Sequence, residues 1–206
     1  MTLTAKSLSC RRGDRMVLTG VTFTLAAGDC LILRGPNGVG KSTLLRVLAG
    51  LAPAAAGSVE VDVDQIAYAG HLDGVKAQLS VAENLGFWAG VYGSGPPTAT
   101  LEHFGLTDLA DRFAHNLSAG QKRRLGLARL HLSGRSVWLL DEPTVSLDAT
   151  HVALFEQAFA DHCAGGGIAM ISTHLDLKIP GARTLDLGQF KAKPTADGNP
   201  FLEDFV

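Results

Sequence analysis

Between two apolar runs, Leu31-Ile32-Leu33 and Leu44-Leu45-Arg46-Val47-Leu48-Ala49, the chain reads Gly35-Pro36-Asn37-Gly38-Val39-Gly40-Lys41-Ser42-Thr43. That order constrains the fold more than any other stretch. A strand enters, a glycine loop turns, and a helix leaves, which is the context in which G-x-x-x-x-G-K-[ST] works as a phosphate loop. The glycines let successive backbone N–H groups turn inward as an anion cradle. The helix N-terminus behind them adds partial positive charge at the same point. Lys41 is long enough to reach the β- and γ-phosphates of a nucleoside triphosphate, and Ser42 offers a hydroxyl to Mg²⁺. A glycine turn ahead of an ordinary helix would match part of this pattern; the flanking elements and the full match favour phosphate. The loop says nothing about what the triphosphate is used for.

The 206 residues suffice for one sizeable core and are too few for two large domains. With 46% hydrophobic and 18% charged residues the chain is expected to be globular. A net charge of -2 gives no reason to expect a nucleic-acid surface. Cys10, Cys30 and Cys163 form no C-x-x-C and sit in apolar contexts, as buried thiols of a reducing compartment do. The first residues lack the build of a signal peptide, and no stretch approaches 18 uninterrupted apolar residues. The expectation is a cytoplasmic chain. Work at a membrane would need another polypeptide to span it.

Taken in order, residues 3–10 and 16–27 read as two strands around a polar turn, with clear alternation in Val21-Thr22-Phe23-Thr24-Leu25. The helix after the loop is expected to end near Gly50. Val59 and Val61 alternate with acids as a strand, and Ile66–Ala69 is a short apolar one. Residues from about 72 to 116 look helical. Ser80-Val81-Ala82-Glu83 fits a capping box opening a helix through Val91. A helix pair is expected over Leu101–Phe104 and Asp108–Ala114. Together with the start of the next helix this makes an inserted helical subdomain over about 72–125. Leu117–Gln121 opens a long helix with a basic first turn, Lys122-Arg123-Arg124. Val137–Leu140 and Ile168–Ser172 read as buried strands, 149–163 as a helix, and Arg183–Leu187 as a last strand. The polar tail from about 188 to 206 is expected to be loosely ordered.

Three apolar strands thus end in polar residues: the glycine loop, Asp141-Glu142, and Thr173-His174. In a parallel sheet strand C-termini share one edge, where ligands bind. Asp141 can hold Mg²⁺ through its water shell, and Glu142 can polarise an attacking water as general base. A strand ending in solvated acids is an everyday event; a phosphate loop upstream changes its weight. His174 is placed to sense the γ-phosphate by a hydrogen bond.

Gly35–Ser42, Leu117-Ser118-Ala119-Gly120-Gln121, Leu140–Asp148 and His174, in this order, resemble the nucleotide-binding domain of an ABC transporter across nearly the whole chain. Leu117–Gln121 resembles the family's signature, the most specific of these motifs. Ser118-x-x-Gln121 is also a capping box, and a capped helix start with an exposed glycine is an anion site. The resemblance implies an α/β fold of the ABC type: a mostly parallel core sheet, an antiparallel N-terminal part and the inserted helical subdomain, in one ATP-binding domain over 1–206. It implies ATP and Mg²⁺ as ligands. ATP would be cradled by Gly35, Pro36, Asn37, Gly38, Val39, Gly40, Lys41, Ser42 and Thr43. Hydrolysis would fall to Glu142, His174 and Lys41, and Mg²⁺ to Ser42 and Asp141. It further implies a head-to-tail two-fold dimer with two ATP molecules between the subunits, Ser118 and Gly120 coming from the opposite copy. Ser146-Leu147-Asp148 resembles the D-loop of the same interface.

A narrower resemblance rests on Tyr68-Ala69-Gly70-His71-Leu72, Val75-Lys76, Leu79–Leu85, Leu117–Arg124 and Asp141–Asp148. These are similar to the haem exporter ATPases of cytochrome c maturation. That implies integral membrane subunits as partners, a place on the cytoplasmic face of the inner membrane, and hydrolysis linked to haem release for attachment to cytochromes c. Two positions depart from the general ABC pattern. His71 stands where a glutamine usually helps hold Mg²⁺; an imidazole matches Mg²⁺ less well than oxygen, so His71 is a possible rather than an expected ligand. No aromatic residue occupies 9–17 to stack adenine, although Arg11 or Arg12 could stack by a guanidinium plane. Leu72, Val75, Leu79, Val81, Leu85, Phe87 and Trp88 surround the region that receives the membrane partner in the family. Most of them are expected to pack the helical subdomain instead.

Other readings fit less of the chain. A nucleic-acid- or ribosome-acting ABC ATPase usually carries two ATPase domains or large insertions. Another small ABC exporter remains open, because the membrane subunits choose the substrate. A GTPase would show N-K-x-D, and none of Asn37, Asn84, Asn116 or Asn199 is followed by Lys. A small kinase has no use for Leu117–Gln121.

Overall fold

Strand residues of opposite parity divide the interior. In the central sheet Leu31, Leu33, Val137, Leu139, Ile168 and Met170 pack into one apolar cluster. Their neighbours Cys30, Trp138, Leu140, Ala169 and Ile171 pack into another on the opposite face. A strand buried on both faces reads as a continuous apolar run, and those of a parallel sheet do so because other layers cover both sides. The computed structural model describes residues 1–70, 74–145 and 147–193. His71, Leu72, Asp73, Ser146 and the tail 194–206 lie outside the described residues.

Two long strands, β1 (Thr2–Arg12) and β2 (Arg15–Ala26), form an antiparallel hairpin, and β4 (Ala56–Glu60) pairs antiparallel with β1. The five-stranded sheet has the order β5 (Ile66–Ala69), β6 (Val137–Asp141), β7 (Ile168–Ser172), β3 (Cys30–Arg34), β8 (Arg183–Asp186). All four of its pairings are parallel. Helix α1 (Lys41–Leu48) follows β3 and packs Leu44, Leu45, Val47 and Leu48 into the cluster shared with the hairpin. The C-terminal ends of β3, β6 and β7 are neighbours on one edge, as the sequence predicts. The three cysteines are free and buried, also as predicted.

Between β5 and β6 the chain is mainly helical. Helix α2 (Val81–Tyr92) begins at the expected capping box: the Glu83 N–H donates to Ser80 Oγ at 3.2 Å, and the Ser80 N–H donates to Glu83 Oε2 at 2.7 Å. Helix α3 (Thr98–His103) starts three residues before the predicted point. The predicted helix over Asp108–Ala114 does not form; two single turns, Thr107–Leu109 and Ala114–Asn116, stand there. Tertiary bonding takes that backbone away from helix. The Val81 and Ala82 N–H groups donate to the Arg112 and Ala110 carbonyls, and the Ala114 N–H donates to the Leu79 carbonyl. The segment thereby accepts bonds from the first turn of α2, whose N–H groups have no partner within their own helix. Residues 74–79 likewise form no helix, only irregular backbone with a turn at 77–78. Helix α4 (Ala119–Leu132) then runs back to β6, and α5 (Ala149–Ala164) connects β6 to β7.

The start of the tail also differs from expectation. Leu187–Phe190 is a tight turn with Leu187 fully buried, and Lys191 bridges to Leu18 of the hairpin. Leu187 seats the turn in the core, which a reading of the polar residues around it passes over.

Candidate functional site

Three glycines of the loop, Gly35, Gly38 and Gly40, hold positive φ. Gly40, the residue before α1, has φ 120, and a Cβ there would meet Leu18 at 2.9 Å. No side chain caps α1, so the N–H groups of its first turn are left to a ligand. Lys41 is the first residue of α1 and is 7% exposed. Its ammonium donates to the Gly35 carbonyl at 2.9 Å and stands 3.2 Å from His174 Nε2 and 3.8 Å from Glu142 Oε1. His174 Nε2 is 3.3 Å from Glu142 Oε1 and 2.9 Å from Asn37 Oδ1. Three strand ends, spread over 133 positions of the chain, thus deliver an ammonium, a carboxylate and an imidazole to one point.

Asp141 and Glu142 are held differently. Asp141 is 1% exposed, and its Oδ1 accepts a 2.7 Å hydrogen bond from the Ser172 hydroxyl. Glu142 has φ 50, in the left-handed region that non-glycine residues rarely occupy. Its N–H donates to the Ser172 carbonyl and hydroxyl, each at 3.0 Å. The turn at Glu142 swings its side chain away from Asp141 and toward Lys41. Adjacent acids therefore face different surroundings, Ser172 for Asp141 and Lys41 with His174 for Glu142.

A cavity of about 260 Å³ opens beside these groups. Arg12, Asn37, Gly38, Gly40, Lys41, Ser42, Thr43 and Glu142 line it. Of the two arginines offered by the sequence, Arg12 is the one on the cavity wall. A backbone cradle, one buried ammonium and a carboxylate that can accept a proton suit a polyphosphate and its hydrolysis. Ser42 Oγ and the Asp141 carboxylate are hard oxygen donors of the kind Mg²⁺ takes alongside phosphate oxygens and water. No group of three or more His, Cys, Asp and Glu among the described residues could hold a metal without such help.

Ser118 and Gly120 stand elsewhere. Ser118 caps α4: the Gln121 N–H donates to Ser118 Oγ at 3.3 Å, and the Ser118 N–H donates to Gln121 Oε1 at 2.9 Å. Having accepted that bond, the exposed Ser118 hydroxyl keeps its own proton to donate. Neither Ser118 nor Gly120 lines the cavity at Lys41.

Two residues that hold the site were not singled out in the sequence. Ser172 reads as the last residue of a buried strand, yet it ties Asp141 to the backbone of Glu142. Arg123 reads as part of a basic turn but is buried under the end of β6. The available signal was position: Arg123, Leu127 and Leu130 recur at helical spacing on one buried face.

The ABC transporter family model matches residues 18–145. The cytochrome c biogenesis ATP-binding export protein CcmA of Cereibacter sphaeroides is 53% identical over 206 residues, covering all of this chain and 98% of that protein. Its namesake from Ruegeria pomeroyi is 57% identical over 200 residues, covering 97% of this chain and 98% of that protein. A solved ATP-binding subunit of an ABC transporter superposes with a TM-score of 0.81 at 25% identity, over 96% of this chain and 91% of that one. With the phosphate loop, the acid pair and the capped signature helix arranged as described, the chain belongs to the ATP-binding subunits of the ABC transporter family, within its CcmA branch.

Proposed function

We propose that this ATPase drives a membrane ABC complex in cytochrome c maturation, where its hydrolysis is linked to the export or release of haem. The convergence of Lys41, Glu142 and His174 carries the hydrolytic part. The names of relatives at 53–57% identity along the full chain support the haem part.

In this reading the loop from Gly35 to Thr43 receives the phosphates through backbone N–H groups, and Lys41 neutralises charge on the β- and γ-phosphates. Glu142 Oε1 takes a proton from the attacking water. His174 donates to the γ-phosphate through Nε2–H, the group that meets Asn37 Oδ1 and Glu142 Oε1 in this structure. Ser42 and Asp141 would hold Mg²⁺, which neutralises developing phosphate charge when bound. Arg12 covers the mouth of the cavity and offers its guanidinium plane to the base. His71 lies outside the described residues and keeps its place as a possible further ligand.

The α4 N-terminus is then free to meet the γ-phosphate bound by a second copy, so that ATP closes a head-to-tail dimer and hydrolysis opens it. No described helix is long and apolar enough to cross a membrane, and integral membrane subunits would supply the path. The working place is the cytoplasmic face of the inner membrane.

The test is haem staining of c-type cytochromes in cells lacking the gene, complemented with the parent chain or Lys41→Ala. Loss of covalent haem, restored by the parent alone, is expected. Normal staining would move the ATPase to another small ABC exporter.

A further inference from the structure

The second turn of α4 buries an arginine whose bonds bracket the hydrolytic carboxylate. Arg123 is 6% exposed. Its Nε donates to the Pro143 carbonyl at 3.0 Å, and its Nη2 donates to the carbonyls of Asp141 at 3.1 Å and Glu142 at 2.9 Å. Its Nη1 donates to the Gly70 carbonyl at 2.9 Å, at the end of β5. Three consecutive carbonyls centred on Glu142, and a fourth from the neighbouring strand end, thus converge on one planar cation.

The chemistry suits the place. Beyond the last paired residue of β6 the backbone leaves the ladder, and its buried carbonyls need donors from elsewhere. A guanidinium offers five N–H groups in a fixed fork, whereas an ammonium gathers three on one atom and cannot span carbonyls spread over two strand ends. Glu142 sits at φ 50, a conformation that persists only where its surroundings hold it. Ser172 holds its N–H side and Arg123 holds its C=O side.

We propose that Arg123 is a positioning residue for hydrolysis: it fixes the backbone of Glu142, and so the direction of its carboxylate toward Lys41 and His174, from the same helical turn that follows Ser118 and Gly120. This rests on the reading of Glu142 as general base. Through Arg123, a load on the N-terminus of α4 is passed to the carboxylate of its own subunit. Binding of nucleotide depends on the loop at residues 35–43, and the four bonds described for Arg123 go instead to Gly70 and to residues 141–143.

The experiment compares the full-length parent, Arg123→Lys, Glu142→Gln and the double variant. Binding is read with a fluorescent ATP analogue, and turnover is read in single-turnover assays normalised to the folded fraction by circular dichroism. Parent turnover and the loss in Glu142→Gln report on the general-base reading by themselves; the ratio of Arg123→Lys to parent reports on Arg123. The expected result is analogue binding within threefold of the parent, turnover at least thirtyfold slower, and less than threefold further slowing when Arg123→Lys is added to Glu142→Gln. Arg123→Gln, which keeps two N–H donors in a plane, is judged by the same criteria should lysine lower the folded fraction. Turnover within threefold of the parent overturns the proposal. So does a rate loss that merely follows lost binding, or one that is as large in the Glu142→Gln background as in the parent.

Discussion

The edge of the five-stranded sheet and the N-terminus of α4 both present groups suited to phosphate, but they are assembled by different rules. At the sheet edge every strand points the same way, so residues far apart in the chain are gathered at one place: polar atoms of Lys41, Glu142 and His174 stand within 4 Å of one another. The α4 terminus is made by local bonds alone, Ser118 with Gln121. It is complete as a helix cap while lining no part of the cavity at Lys41. A tertiary site is finished within one chain; a local one can be finished and still look outward for its ligand. That difference favours hydrolytic groups that act within one subunit and a signature helix that acts on another.

The comparison is sharpened most by Glu142→Gln. Removing a general base costs about 10²- to 10⁴-fold in rate. The variant keeps Lys41, the loop and the α4 terminus, so it should bind ATP and accumulate as a dimer. Light scattering in excess ATP reads the mass; a protein that stays monomeric there would break the division between the two regions.

Next in size is Gly120→Asp in the Glu142→Gln background. An acid in the first turn suits the helix itself, since it faces the positive end of the dipole. It would oppose a phosphate arriving from a second copy. The expected outcome is loss of the ATP-trapped dimer with nucleotide binding unchanged within a few-fold, read by scattering and by a fluorescent nucleotide. A dimer that persists would show that this terminus does not meet the other subunit's nucleotide.

The same contrast explains what the sequence made legible. The phosphate loop is contiguous and its residue types are fixed by backbone geometry, so it can be read directly. The buried strands at 137–141 and 168–172 are apolar on both faces and stand out for that reason. The box at Ser80 is local, and it formed where expected. Ser172 and Arg123 were illegible as parts of the site because their partners are backbone groups that only the assembled sheet brings to them. Residues 108–114 were misread for a related cause: their helical look yields to the unpartnered N–H groups at the start of α2.

Ser172→Ala tests the sheet edge at smaller scale. It deletes the hydroxyl that donates to the buried Asp141 carboxylate, and a hydrogen bond to a charged group is worth about 1.5–3 kcal/mol. Urea unfolding should show a stability loss of about that size with an unchanged m-value. A loss below about 0.5 kcal/mol would mean that the bond between β7 and β6 does not hold the acid.

The smallest effect concerns the far end of the same strands, where packing rather than phosphate chemistry decides. His162 of α5 stacks on Trp138 of β6 with ring centroids 3.9 Å apart. Burial holds its imidazole below the usual histidine range, against hydrogen bonds to the Ile168 and Ser136 backbone that raise it. The folded chain therefore takes up this proton at lower pH than the unfolded chain. Between the lowered value and about 6.5 the unfolded state binds more protons, so stability from this group is full above that window and is lost as pH falls through it. His162→Phe keeps a ring on Trp138 and removes the titration. Its melting temperature should fall less than the parent's between pH 7 and 5.5, by no more than about 2 °C, since one kcal/mol moves a chain of this size by about 2–4 °C. Identical pH slopes in the two proteins would mean that His162 is as easily protonated folded as unfolded. The sheet's apolar end would then be open to solvent, unlike the buried Asp141 at its other end.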